Sequence, residues 1–247
     1  MIPSSPARNE VEALVLAAAD TDKTPALVTD GASTEGLDLQ ALAAALPAVG
    51  FTGALDAVVR LPADVLGPDA AADCVLVVGT GPGLDAGPGD AAALGAARPG
   101  VLRRAAGCAA RELAGVGSAA FLLPADSPDD LRAVAEGALV GAYAWSGRVP
   151  APTAPLERVV VATPLAGSEE AGTARARATA LAESTALVRD LVNEPPNRLT
   201  PKVLAERARA LADDAGLDVE VLDETLLRRR GFGGIVGVGQ GSVHPPF

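Results

Sequence analysis

Histidine, methionine, tryptophan and tyrosine occur once each in this 247-residue sequence, and cysteine twice. With His244 as its one histidine, the chain cannot form a two-histidine metal site or a pair of histidine acid–base catalysts. Its two cysteines, Cys74 and Cys108, form no CxxC pair. Both lie in apolar stretches and read as small buried residues of a reducing compartment, not as a disulfide. No Gly-x-Ser-x-Gly occurs, which excludes a serine-hydrolase elbow. No run approaches the roughly 18 uninterrupted apolar residues that a membrane-spanning helix needs. Arg8 precedes the apolar stretch "VEALVLAAA", but Glu10 and Glu12 interrupt it. A cytoplasmic protein without a cleaved leader is therefore expected, with no membrane partner. Positive charge is also in deficit, with 20 Lys and Arg against 31 Asp and Glu, a formal net charge of -11. Such a surface repels phosphate backbones, so nucleic acid is not an expected partner.

Aromatic residues make up 2% of the chain, while apolar residues as a whole make up 49%. The apolar mass is alanine, leucine and valine, which suits helices packed on a sheet. The length exceeds one average domain and predicts two, or one and part of a second. Strand and helix patterns alternate along the chain. "VEALVLAAA" (11–19) and "PALVT" (25–29) read as strands around a polar turn, and a helix follows over 37–50. "ALDAVVRLP" (54–62) and the β-branched run "DCVLVVGTG" (73–81) read as strands. A helix is expected from 99 to about Gly115, then a strand over 118–125. Ser127, Pro128, Asp129 and Asp130 are good starting chemistry for the next helix. A strand over 157–164 precedes a long helix over 168–193. Beyond it the pattern predicts a helix from Thr200–Pro201, with Leu204, Ala208, Leu211 and Ala215 on one stripe. A strand in "LDVEVL" (217–222), a short helix in "DETLLRRR" and a last strand in "GGIVGVG" (233–239) complete the reading. The alternation argues for an α/β fold with largely parallel strands. The expected organisation is an N-terminal α/β domain with a central sheet (1–166), a linking helix (167–193) and the incomplete start of a second α/β domain (194–247). The Pro-rich loop at 148–157 is not taken as the boundary. With two helices and two strands, the second part is too small to close a core, and it is expected to continue beyond Phe247.

The most distinctive run is "RDLVNEPPNRLTP" (189–201). Pro195 and Pro196 remove two N–H donors and push the preceding residue toward extended geometry, so the long helix must stop there. Asn193 and Asn197 are residues whose side chains bond nearby backbone in turns. The four residues together read as a rigid structural elbow rather than as catalysts.

"RDLVNEPPNRLTPKVLAERA" resembles the segment that opens the catalytic domain of the leucyl aminopeptidase (cytosol aminopeptidase) family. "RRGFGGIVGVGQGS" resembles the next strand of that domain, and "GALVGAYAWSGR" the end of its N-terminal domain. The ordered likeness covers most of the chain from about 100 to 244. The resemblance implies a two-domain metallopeptidase, usually hexameric, that releases N-terminal amino acids from peptides. It implies two divalent ions, manganese or zinc in particular, held by aspartates, a glutamate and a lysine. The metals would polarise the scissile carbonyl and supply a hydroxide. No catalytic, metal-binding or substrate-binding residue carries over, because the family's first metal motif, an Asp-Ser-Gly-Gly, follows "GVGQGS" and one further strand. The chain holds no such sequence, so no metal is expected on it and the activity is expected of the intact protein only. The alternative is a non-catalytic α/β module for oligomer contacts or binding.

Other motifs point to weaker chemistry. "VVGTGPGLDAGPG" (77–89) begins like a dinucleotide site, but the last glycine position is Leu84, and Pro82 and the Gly87-Pro88-Gly89 run delay the helix. A nucleotide site over residues 79–83 is the third reading, and a strand-to-helix loop is the simpler one. "GVGQGS" lacks the Gly-Lys-Ser/Thr ending of a phosphate loop and reads as a close-packed strand end. "DTDKTP" (20–25) mimics the start of a calcium loop, but has Pro25 where glycine is needed and Gly31 where a glutamate is needed. Glu169-Glu170 and Asp213-Asp214 are expected to face water, and Arg228 to Arg230 to favour the negative end of a helix.

Overall fold

The computed structural model describes residues 11–29, 34–68, 70–84, 98–147 and 153–244. The expected features at Arg8, at Gly87–Gly89, at 148–152 and at Pro245–Pro246 lie outside these residues. The chain divides into two compact units, one running to Leu187 and one from Val188.

In the first unit a six-stranded sheet has strand order β3-β4-β1-β5-β6, with β2 paired to β1. The strands are β1 (Ala13–Thr21), β2 (Thr24–Val28), β3 (Val58–Pro62), β4 (Cys74–Gly79), β5 (Ser118–Phe121) and β6 (Arg158–Val161). The four strands β4, β1, β5 and β6 are parallel. The expectation of a largely parallel sheet holds for this centre, whereas β2 and β3 run antiparallel to β1 and β4. The first exception has a local cause. Asp22 and Lys23 both have positive φ, 53° and 66°, which is the two-residue hairpin turn whose twist matches the flanking strands.

The sheet is covered on both faces. Side chains of a strand alternate sides, and β1 is apolar at every position from Ala13 to Ala19, so both of its faces are buried. Val15, Leu76, Val78 and Phe121 pack with α2 (Arg98–Glu112), α3 (Pro128–Gly141) and the first turns of α4 (Glu169–Asn193). Leu14, Leu16, Val75 and Val77 pack on the opposite side with Leu42 and Leu46 of α1 (Leu39–Ala48). Helix α3 starts as its sequence predicts: the Ser127 hydroxyl accepts from the Asp130 N–H at 3.1 Å, with Pro128 in the first turn.

Helices α2 and α3 approach closely because glycines line their crossing. A Cβ at Gly137 would overlap the Arg103 carbonyl, and one at Gly141 the Gly107 carbonyl. Ion pairs flank the crossing: Arg98 to the buried Asp130 at 3.0 Å and Arg103 to the buried Glu136 at 2.7 Å.

The second unit contains the end of α4, then α5 (Pro201–Asp214), α6 (Glu224–Arg229) and α7 (Gly233–Gly239). Two expectations fail here. Residues 217–222 are not a strand: they have no ladder partner among the described residues. Residues 233–239 are a helix rather than a strand, with the Gln240 N–H donating to the Val236 carbonyl at 3.0 Å. Without a neighbouring strand, local bonds are the available way to pair this backbone. Helix α5 forms where predicted, but its Leu204–Leu211 stripe is not buried.

Candidate functional site

The run from Arg189 to Pro201 is where the sequence is most distinctive. Helix α4 ends at Asn193, and the Glu194 N–H still donates to the Asp190 carbonyl at 2.9 Å. The chain then turns on Pro195, whose carbonyl accepts from both the Arg198 and Leu199 N–H groups at 2.8 and 2.9 Å. Thr200 caps α5, its hydroxyl accepting from the Val203 N–H at 3.5 Å, and Pro201 takes the first helical position. Pro196 and Asn197 are exposed. The turn is therefore closed by a backbone carbonyl, not by the Asn197 side chain. The carboxylate of Glu194, 16% exposed, lies 3.8 Å from Arg207 of α5 and ties the turn to the helix after it.

The glycines of "VVGTGPG" hold backbone against backbone. A Cβ at Gly79 would overlap the Ala54 carbonyl, and one at Gly53 the Ala19 carbonyl. The buried Thr80 hydroxyl donates to the Ala18 carbonyl at 3.3 Å, and the Gly81 N–H donates to the Gly53 carbonyl at 2.9 Å. The donors and the space that a pyrophosphate would need are thus used by the protein itself, and a short 3₁₀ turn, Gly81–Leu84, follows. The "DTDKTP" run is spent similarly: an Asp20 carboxylate oxygen accepts from the Lys23 N–H at 2.7 Å within the β1–β2 turn.

The acidic pairs serve helices or face water. Ser168 caps α4, accepting from the Ala171 N–H at 3.1 Å. The Glu170 carboxyl is held below its usual range by its own backbone N–H and by the Ser168 hydroxyl. Asp213 and Asp214 are exposed at the end of α5. Arg228 pairs with Glu224 at 2.6 Å and Arg230 with Glu220 at 2.8 Å, so the arginine run closes a helix, ended by Gly231 at φ 79°. His244 is exposed.

Both cysteines are free and buried. Burial pushes the Cys108 thiol up, only partly offset by Arg111, which makes it a poor nucleophile near neutrality. Its neighbour Asp56, at φ 63°, receives a forked hydrogen bond from Arg104, with Nε at 2.8 and 2.9 Å from the two carboxylate oxygens. That contact holds the Asp56 carboxyl below its usual range.

Among the described residues no three His, Cys, Asp or Glu side chains come together in a way that could hold a metal ion. The two-metal centre implied by the resemblance does not fit these residues. No helix among them is long and apolar enough to cross a membrane.

Comparison with known proteins places this architecture. A probable cytosol aminopeptidase of Leifsonia xyli subsp. xyli is 42% identical over 245 residues, covering 99% of this chain and 44% of the relative. One from Rhodococcus jostii is 38% identical over 242 residues, covering 96% of this chain and 45% of the relative. The chain thus spans less than half the length of the curated relatives it matches. Among solved structures, the bottromycin maturation enzyme BotP in complex with Mn superposes with a TM-score of 0.69 at 31% identity, covering 95% of this chain and 43% of that one. A tomato leucine aminopeptidase mutant shares the fold, with a TM-score of 0.70 at 19% identity over 98% of this chain and 47% of its own. The model of the cytosol aminopeptidase N-terminal domain matches residues 15–146, and that of the family's catalytic domain matches residues 186–247. With both models matched in order on one sequence, the chain belongs to the cytosol aminopeptidase family.

Proposed function

We propose that this sequence contributes the N-terminal domain (1–166), the linking helix (167–193) and the start of the catalytic domain (194–247) of an aminopeptidase that releases N-terminal residues from peptides. The observation that carries this reading is the ordered match of both domain models, joined by one continuous helix from Glu169 to Asn193. The working enzyme is read as a cytoplasmic homo-oligomer, a hexamer by family resemblance, using two divalent ions such as manganese or zinc. Those ions supply Lewis-acid activation of the scissile carbonyl and a nucleophilic hydroxide when bound. Their ligands are proposed to come from polypeptide outside residues 1–247. Within the chain, Asn193, Pro195, Pro196 and Asn197 act as a positioning turn between α4 and α5.

A second reading, a non-catalytic oligomerisation or binding module, draws support from the lack of a metal-holding cluster among the described residues. Hydrolysis of a leucyl anilide with added manganese separates the two. We expect no turnover by the 247-residue chain, and chelator-sensitive turnover by a chimera in which the unmatched remainder of the Leifsonia relative follows Phe247. An inactive chimera that purifies as a folded oligomer would overturn the aminopeptidase reading. Chelator-sensitive turnover by the short chain would overturn the location of the metal ligands.

A further inference from the structure

The two outer edges of the sheet are unequal. Strands β3 and β6 stand at its ends, each with a single neighbouring strand among the described residues. An open edge invites pairing with another chain, and proteins blunt it with charge or proline. Strand β3 carries both, Arg60 and Pro62. Strand β6 has Arg158 at its first position and then three consecutive valines, Val159 to Val161. The Arg158 and Ala162 N–H groups donate to the Gly117 and Phe121 carbonyls, both at 3.0 Å. Backbone direction alternates along a strand, so Val160 also bonds to β5, while the N–H and C=O groups of Val159 and Val161 point away from it. Those outward groups have no partner among the described residues, although Val161 is only 7% exposed. Buried backbone is ordinarily paired.

Beside that edge, between α3, α4 and β6, lies a cleft of about 260 Å³. Leu131 and Leu139 of α3 and Ala171 and Ala178 of α4 wall it, together with the three valines. Val159 and Val161 turn to one face of the sheet and Val160 to the other, so a cleft that touches all three reaches the outer edge of the strand. One of the described residues lining it is charged: Arg175, which is exposed and makes no ion pair among the described residues. Its neighbours three and four positions away on α4 are Ala171, Gly172, Ala178 and Thr179, so the helix offers it no carboxylate. Arg132 of α3, by contrast, pairs with both Asp129 and Glu136.

We infer that the β6 edge and this cleft bind an extended peptide that ends in an apolar residue. The peptide backbone pairs with Val159 and Val161, its last side chain enters the cleft, and its terminal carboxylate meets Arg175. Charge complementarity decides the occupant. Strand addition alone would accept any extended segment, and the cleft any apolar group, but an unpaired guanidinium selects a carboxylate. A small carboxylic acid would use Arg175 and the cleft and leave the edge bare. A chain terminus uses all three features.

The test is fluorescence polarisation of an N-terminally labelled peptide, Thr-Val-Thr-Val-Leu with a free carboxylate, titrated with the 247-residue chain. Saturable binding is expected, weakened about tenfold or more by amidating the peptide's terminus and by Arg175→Glu. Arg175 is exposed, so the variant is expected to melt as the parent does. Arg175→Lys is expected to fall between the two. With peptide bound, the Val159 and Val161 amides are expected to exchange about tenfold more slowly, and the Val160 amide, already bonded to β5, to change less. Absence of binding, equal affinity for the amidated peptide, or unchanged affinity of Arg175→Glu overturns the inference. Equal slowing of all three amides does too, because it reports general stabilisation and not strand addition. Displacement of the peptide by equimolar isovalerate would assign the cleft to small acids, and protection of Val159 and Val161 without peptide would assign the edge to a dimer of this chain. Either result overturns the inference. None of these readouts needs peptide hydrolysis, so the peptide site stands or falls apart from the aminopeptidase reading.

Discussion

At Gly137 two effects of opposite sign compete. Alanine in a helix interior is favoured over glycine by about 1 kcal/mol. Here, however, the added methyl would overlap the Arg103 carbonyl, which is backbone and cannot swing aside. The clash wins, and Gly137→Ala is expected to destabilise the first unit by about 1–3 kcal/mol through forced separation of α2 and α3. Urea denaturation followed at a signal of the first unit checks this, and an unchanged or higher midpoint would refute it. Asp56 offers a pH-dependent counterpart. Arg104 lowers its carboxyl in the folded state, so the stabilisation is present above the ordinary aspartate range and is lost as pH falls through the lowered value. The side chain of Asp56 is 36% exposed, so solvent screens most of the effect. Asp56→Asn keeps a residue tolerant of positive φ, and should lower the neutral midpoint slightly while converging on the parent at low pH, which flattens the acid limb of the stability profile.

Helices and strands of the first unit could be read from the chain because each carries its own signal: apolar periodicity, a cap, or a turn residue with defined backbone. Thr200 is such a signal. Thr200→Ala is expected to cost α5 about 1 kcal/mol, seen as a lower helical circular dichroism signal than the parent's. Replacing Pro195 and Pro196 together with alanine restores two donors and should let α4 and α5 join, raising the helical circular dichroism signal. A signal no higher than the parent's would mean that the turn owes its shape to other residues. What could not be read are features set by partners distant in sequence. "GGIVGVG" is apolar and short, a length at which strand and helix share one pattern, and no strand lies beside it among the described residues. "LDVEVL" has a strand's alternation but no ladder among the described residues. The glycines at 79 and 81 resembled a nucleotide turn, and only the path of residues 53–54 beside them reveals that they are packing contacts. The helix end at Asn193 was legible from Pro195 and Pro196, but the acceptance of two N–H groups by the Pro195 carbonyl was not, since side-chain chemistry says nothing of which backbone group accepts.

For the whole molecule, the contrast is between a first unit with a two-faced sheet and a second with Leu227 and Val236 as its buried side chains among the described residues. Apolar burial is the main favourable term in folding, so the units should differ in protection. Hydrogen exchange of the chain alone is expected to show slow amides in β1, β4 and β5 and near-unprotected ones in α5, α6 and α7. Uniform protection across both units would contradict this. The order of the sheet also has a temporal side. Strand β1 begins at Ala13, yet its neighbours on either edge are β4, from Cys74, and β5, from Ser118. As the chain leaves a ribosome, β1 can close the local hairpin with β2, but its β4 edge must wait for about 50 further residues and its β5 edge for about 100. At about 5–20 residues per second, that interval lasts at least several seconds. For that time a strand apolar on both faces is exposed, which makes the growing chain a natural client for chaperones that shield hydrophobic segments during synthesis.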